Sequence, residues 1–194
     1  MADKEPETIR TFVAVEIPSE VKAAMKGVQD TLRKSGADVG WVRPEGIHLT
    51  LKFLGGVDAE TVDKLGAALE AAVKGVKTFS LDVKGIGVFP TPKAPRVVWV
   101  GISGEMDALG MLYEKVENVC EGLGFAREQR PFKPHLTLGR VKSPGGRGTL
   151  MRLIAESEGV ELGVILASSA SVMKSELKPG GAAYTEIRRI LLAG

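Results

Sequence analysis

The chain is poor in the residues from which redox, metal and nucleophilic sites are usually built. Cysteine occurs once, as Cys120, and histidine twice, as His48 and His135. A lone cysteine closes no intramolecular disulfide, and Cys120 falls at an apolar helical position, so it reads as a buried core thiol in a reducing compartment. Zinc sites draw three or four ligands from Cys, His and carboxylates, and the chain has neither an H-E-x-x-H segment nor a cysteine pair. A G-x-S-x-G elbow is missing as well. The glycines near 55, 85–87 and 145–148 make neither a Walker A loop nor a dinucleotide fingerprint. No metal and no cofactor are expected.

Excess charge is lacking too. With 26 Lys and Arg against 24 Asp and Glu, the net charge is +2, which permits a local basic groove but not the broad basic footprint of a general nucleic-acid binder. No apolar run reaches the roughly 18 to 20 residues needed to span a membrane. The segment Met1–Glu7 is charged, with no apolar stretch behind it. A cytoplasmic monomer without membrane contact is the expectation. What remains is ordinary for a globular protein, 44% hydrophobic and 26% charged residues over 194 positions. No linker or low-complexity tract divides the chain, so residues 1–194 are expected to form one two-lobed unit.

Periodicity places the elements. Thr11–Ile17 is β-branched and aromatic-rich, a strand ended by Pro18. Ser19 then reads as the cap of a helix carrying Val21, Ala24, Met25, Val28 and Leu32, with Gly36 as its stop. A strand through Phe53 is expected to break at Gly55-Gly56, and Asp58 to cap a helix bearing Val62, Leu65, Leu69 and Val73. Phe79, Leu81 and Val83 alternate toward Phe89, the loop Pro90–Pro95 is too proline-rich for a ladder, and Arg96–Ile102 returns as a strand. A helix from about Glu105 shows Leu109, Leu112, Val116 and Leu123 on one face and closes at Gly122 and Gly124. After a strand His135–Val141, the run Ser143–Gly148 reads by composition as a mobile loop. A short helix at 149–156 and strands at 160–166, 169–177 and 184–192 follow, the last two joined by a turn at Lys178-Pro179-Gly180-Gly181. The class is α+β.

One segment occurs twice. Arg43-Pro-Glu-Gly-Ile-His-Leu-Thr-Leu51 and Arg130-Pro-Phe-Lys-Pro-His-Leu-Thr-Leu138 share the skeleton R-P-x-x-x-H-L-T-L, 87 residues apart (135 minus 48). The repeat captures both histidines of the chain. On a strand, residues i and i+2 share a face. His48 and Thr50 therefore point one way and Leu49 and Leu51 the other, and His135 and Thr137 are likewise opposed to Leu136 and Leu138. A single such histidine would read as a satisfied strand residue. Two in a repeated frame read as halves of one site. Imidazole titrates near working pH, so one ring can take a proton while another gives one, and threonine hydroxyls can hold anionic oxygens. That set suits hydrolysis or transesterification of a phosphodiester.

The two H-x-T-x motifs, His48-Leu-Thr-Leu and His135-Leu-Thr-Leu, resemble the signature of the two-histidine (2H) phosphoesterase superfamily. Within it the chain is most similar to the RNA 2′,3′-cyclic phosphodiesterases, historically called 2′-5′ RNA ligases. Phe12–Pro18, Trp41–Pro44, His48–Gly55, Gly87–Pro90, Pro95–Trp99, Arg130–Leu138, Ser175–Gly181 and Tyr184 carry the resemblance almost from end to end. It implies a bilobal, pseudo-twofold α+β fold, with an antiparallel sheet and outer helices in each lobe and the active site in the groove between them. It also implies metal-independent hydrolysis of a ribose 2′,3′-cyclic phosphate to a 2′-phosphate. By that resemblance His48 is the proton donor, His135 the proton acceptor, and Thr50 and Thr137 hold the phosphate oxygens. Substrates would be RNA ends or nucleotides bearing the cyclic phosphate, tRNA fragments among them.

Further cations are candidates for substrate contact. Strict alternation puts Lys52 and Lys133 on the groove face. Arg43 and Arg130 precede the motifs at matching positions, and Arg140 lies on the opposite face unless a bulge at Gly139 turns it inward. For each, a solvated surface charge is the competing reading. Phe53 and Trp99 are candidates to stack on a base, with core packing favoured for both. Two other functions fit the same residues. The reverse reaction would join a cyclic-phosphate end to a 5′-hydroxyl, and a non-catalytic module would bind nucleotides without turnover. A product assay separates all three.

Overall fold

The computed structural model describes residues 8–178 and 181–194, so the charged segment Met1–Glu7 and the Pro179-Gly180 centre of the expected turn lie outside the described residues. The elements follow in the order β1 (Ile9–Val15), α1 (Ser19–Arg33), β2 (Val39–Trp41), a 3-10 turn (Pro44–Gly46), β3 (Leu49–Val57), α2 (Ala59–Ala72), β4 (Phe79–Phe89), β5 (Val97–Gly104), α3 (Met106–Gly122), β6 (His135–Val141), α4 (Arg147–Glu156), β7 (Glu161–Ala167), β8 (Ser169–Lys178) and β9 (Gly181–Leu191). The helices form where apolar residues recur at helical spacing. Val21, Met25, Val28 and Leu32 are the buried face of α1, and Leu109, Leu112, Val116 and Cys120 that of α3. Asp58 caps α2, its Oδ1 accepting from the Thr61 N–H at 2.8 Å. Ser19 does not cap α1. It is the first helical residue, and Pro18 already holds the extended entry at φ −57, ψ 149, while the Ser19 hydroxyl donates to Glu20.

The strands form two antiparallel sheets, β3-β1-β8-β9 and β2-β6-β5-β4-β7. Each half of the chain supplies strand, helix, motif strand and helix: β1-α1-β3-α2, then β5-α3-β6-α4. The halves are interleaved. β4 leaves the first half to pair with β5, and β8 leaves the second to pair with β1. The helices cross likewise, α1 packing against β7 and α4, and α3 against β3 and α2. This is the expected bilobal α+β architecture. One continuous buried cluster runs from Val13 and Leu49 to Leu136 and Leu138, and a smaller one of Phe12, Ala14 and Met173, joined by Tyr184, lies on the other face of the first sheet.

Three local differences separate the structure from the sequence reading. β3 runs on through Gly55-Gly56 to Val57, because Gly55 at φ +78 absorbs a bulge opposite Thr11 and Phe12. The short β2 and the 3-10 turn were not anticipated, being too brief to show a period. Gly146 at φ 69 opens α4 at Arg147, so the glycine-rich run ends as a helix entry. Cys120 is fully buried, and desolvation pushes its thiol up to about 11. Among the described residues no helix is long and apolar enough to cross a membrane.

Candidate active site

The register of the two motif strands decides what faces the groove. In β3, Thr50 lies opposite Ala14 and Lys52 opposite Val13, leaving Leu51 without a partner of its own. In β6, Thr137 lies opposite Trp99 and Gly139 opposite Val98, leaving out Leu138. Each H-L-T-L thus carries a bulge at its second leucine, and past it the side chains change faces. Leu49, Leu51, Leu136 and Leu138 are all buried, as the motif predicts.

The bulges correct two expectations. Lys52 lines the floor of the cleft, but not from the strand face of Thr50. It shares the core face of Val13, is 7% exposed, and donates to Glu117 Oε2 at 2.9 Å and to the Ala126 carbonyl at 2.7 Å. Phe53, favoured for the core by unbroken alternation, emerges on the face of Phe12 and is 66% exposed. Beyond the second bulge Arg140 comes round to the groove face, opposite Val97 and exposed. Strict alternation gave Lys52 the wrong strand face though it still lines the cleft, the core packing favoured for Phe53 is not found, and the bulge at Leu138-Gly139 turns Arg140 inward as the alternative reading allowed.

A cleft of about 810 Å³ brings His48 and Thr50 together with His135 and Thr137, and Phe53, Phe89, Arg140 and Tyr184 share its walls. All four motif side chains are half-buried. His48, just before β3, stacks on Phe12 (centroids 4.5 Å apart, interplanar angle 27°) and meets Tyr184 edge-on at 4.8 Å. Burial in this aromatic box lowers its pKa from 6.5 to about 4, the Lys22 charge adds to the drop, and the Gly46 carbonyl opposes it by accepting from the ring. His135 sits edge-on to Phe89 at 5.1 Å, and its Nδ1 is 2.7 Å from the Lys133 carbonyl. A carbonyl only accepts, so Nδ1 carries a proton, and in the neutral ring Nε2 is the nitrogen with the lone pair. The His135 ring is thus held by the carbonyl two residues upstream, and the carbonyl at the equivalent position, that of Gly46, lies near the His48 ring. The R-P-x-x-x-H segments place those carbonyls.

The other candidates divide. Arg130 is on the cleft wall but 85% exposed, and its Nε and one terminal nitrogen donate to the Glu128 carboxylate at 3.1 and 3.0 Å, which holds that carboxyl down at about 2. Lys133 is exposed on the wall, and Arg43 is exposed away from it. Trp99 is half-buried, lying against Phe89 at 5.0 Å and over Gly87, where a side chain would collide with its ring. Among the described residues no three metal-ligating side chains converge. The sequence reading missed the rings around the histidines. Phe12 and Ala14 alternate with Val13 and Val15, a visible period, but nothing in it tells which face meets a histidine.

A family model described as LigT-like phosphoesterase matches this chain twice, over residues 15–99 and again over 100–184, one match for each half. An RNA 2′,3′-cyclic phosphodiesterase of Methanothermobacter thermautotrophicus is 36% identical over 92% of this chain and 96% of that protein. A crystal structure of a Thermus thermophilus protein superposes with a TM-score of 0.80 at 30% identity, covering 96% of this chain and 99% of that one. Escherichia coli LigT in complex with 3′-AMP superposes with a TM-score of 0.76 at 25% identity, covering 97% of this chain and 100% of that one. With both halves matched, each around its own H-x-T-x strand, the chain belongs to the LigT-like phosphoesterase family.

Proposed function

We propose that the protein hydrolyses terminal 2′,3′-cyclic phosphates of RNA to 2′-phosphates, by acid and base catalysis from its two histidines without a metal ion. The observation that carries this is the cleft itself, in which two interleaved halves present two His-x-Thr pairs, one histidine packed between Phe12 and Tyr184 and the other fixed at Nδ1 by the Lys133 carbonyl. The curated relative above is an RNA 2′,3′-cyclic phosphodiesterase, and the E. coli LigT structure holds a nucleotide.

His135 Nε2, unprotonated, takes a proton from water as it attacks phosphorus. The bond from phosphorus to the 3′ oxygen breaks, His48 donates its proton to that oxygen, and a 2′-phosphate and a 3′-hydroxyl result. In the free protein His48 is held neutral at pH 7. The anionic phosphate is the charge that makes its imidazolium favourable, so substrate binding itself loads the acid. Thr50 and Thr137 donate to the non-bridging oxygens, and Arg140 neutralises their charge from the β6 wall. Phe53, exposed on the opposite wall, offers a face to the terminal base. RNA ends, tRNA fragments among them, are the proposed substrates, acted on by a cytoplasmic monomer.

An oligonucleotide ending in a 2′,3′-cyclic phosphate, incubated with the protein in EDTA, is expected to yield a 2′-phosphate. No turnover, turnover only with added metal, or a 3′-phosphate product would overturn the proposal. His48→Ala and His135→Ala are each expected to lose on the order of a hundredfold or more of kcat.

A further inference from the structure

We infer that Lys52 and Glu117 are positioning residues, whose buried ion pair ties the first motif strand to the segment that aims His135. The pair is buried in the floor of the cleft, 7% and 1% exposed, with its charged ends turned to each other. Lys52 on β3 donates to Glu117 on α3 at 2.9 Å and to the Ala126 carbonyl at 2.7 Å, and Glu117 Oε2 also accepts from the Glu128 N–H at 3.3 Å. Three groups from different parts of the chain are thereby fastened at one point.

What they fasten is irregular backbone. Residues 125–134 form neither helix nor strand, so no ladder holds them. Yet this segment ends in Lys133, whose carbonyl fixes the His135 ring at Nδ1. It has three anchors on α3: the buried Lys52–Glu117 point at its start, Arg127 donating at the surface to Glu114, Asn118 and Glu121, and Phe132 stacked on Tyr113 near its end (centroids 4.1 Å apart, 8° between planes). An apolar pair at 52 and 117 would fill the same space at little cost in stability, because burying two charges removes about as much as their attraction returns and the Ala126 carbonyl and Glu128 N–H belong to exposed residues that water reaches. It could not hold a free carbonyl and a free N–H. The polar pair is therefore suited to geometry rather than to stability. Through it β3, which presents Thr50 and follows directly on His48, is linked to the peptide that orients His135.

The inference rests on the hydrolase reading, and two readouts keep the two apart. In Lys52→Met/Glu117→Leu no buried charge is stranded, and the thermal midpoint should stay near wild type. With a cyclic-phosphate oligonucleotide, kcat should fall roughly ten- to a hundredfold while KM stays within about threefold, since the charged ends of both residues are engaged with each other at the cleft floor and not free for the phosphate. Independently of turnover, 15N NMR of the neutral His135 ring should show one fixed tautomer, proton on Nδ1, in the wild type and a mixture in the variant. Full kcat in the variant, or a loss of kcat with the tautomer unchanged, overturns the positioning role. A wild type without turnover defeats the hydrolase reading, and the tautomer measurement then judges the link alone. Should the double variant not fold, Glu117→Asp keeps the counter-charge of Lys52 but shortens the reach to the Glu128 N–H, and is read by the same two measurements, with a smaller loss expected.

Discussion

His48 is where the chemistry of a single residue can be read most directly. Its ring lies in an aromatic box of Phe12 and Tyr184, and desolvation there favours the neutral form. A proton donor held at a pKa of about 4 would be nearly empty at pH 7, so the donor role requires the ligand's charge. In an NMR titration of the free protein, the His48 ring should therefore titrate near pH 4, and a 2′-phosphate nucleotide should move its midpoint upward. With two histidines in the chain, His135→Asn leaves a single ring to assign. A midpoint near 6.5 in the free protein, or one indifferent to the nucleotide, counts against the box and the proposed loading. The same shift predicts a pH dependence of stability. The unfolded chain takes up the His48 proton more readily, so this contribution is fully present above pH 6.5 and is lost as pH falls through about 4. At about 1.4 kcal/mol per pH unit the loss approaches roughly 3 kcal/mol. Chemical denaturation of wild type and His48→Gln across that range should converge as pH falls, and parallel curves would show that the ring is not desolvated.

The bulges act at the scale of the element, turning one four-residue motif into two different walls. Past the second leucine of each H-L-T-L, the residue reaching the cleft is Phe53 on β3 and Arg140 on β6. An aromatic face and a cation at equivalent positions give an otherwise symmetric cleft a direction. Arg140→Ala should lower kcat/KM by about ten- to a hundredfold through the loss of a charge-assisted contact, whereas Arg130→Ala should change it by less than about threefold, its guanidinium being already engaged by Glu128 at the surface. Equal losses in steady-state assays would remove the distinction. Gly139→Ala tests the bulge itself, because a Cβ there would come within 2.6 Å of Val39 and 3.0 Å of Trp41. A destabilisation of about 1–3 kcal/mol is expected, with kcat/KM falling as Arg140 is displaced, and a variant with the wild-type Tm and activity would argue that the bulge is not fixed by this packing. These elements also mark the limit of legibility. Helices α1 to α3 and the alternating strand β4 were readable because their periods run long, and Leu49 and Leu136 because they flank the histidines. Lys52 and Phe53 were not, since a bulge depends on which strand lies opposite, and β1 reaches β3 only in the folded sheet.

At the scale of the whole molecule, the repeat explains why two half-sites meet in one cleft. Neither half completes a sheet. The first sheet takes β1 and β3 from the first half and β8 and β9 from the second, while the second adds β2 and β4 to β5, β6 and β7. The buried cluster is continuous across both halves, so separation would expose Val13 and Leu49 on one side and Leu136 and Leu138 on the other. The histidines are thus brought together by the same interleaving that builds the core, and a protein that has folded has also assembled its cleft. Cutting the exposed proline-rich loop, to give residues 1–93 and 94–194, tests this without touching a core residue. Each fragment alone should lack a cooperative thermal transition by circular dichroism, having lost the strands that cover its apolar faces. Mixed together from denaturant, the two should regain the transition and the cyclic-phosphate turnover in the same proportion, because neither histidine has its partner in its own fragment. A sharp transition in either fragment by itself would show that a half is an independent folding unit and that the cleft forms by docking of two finished parts.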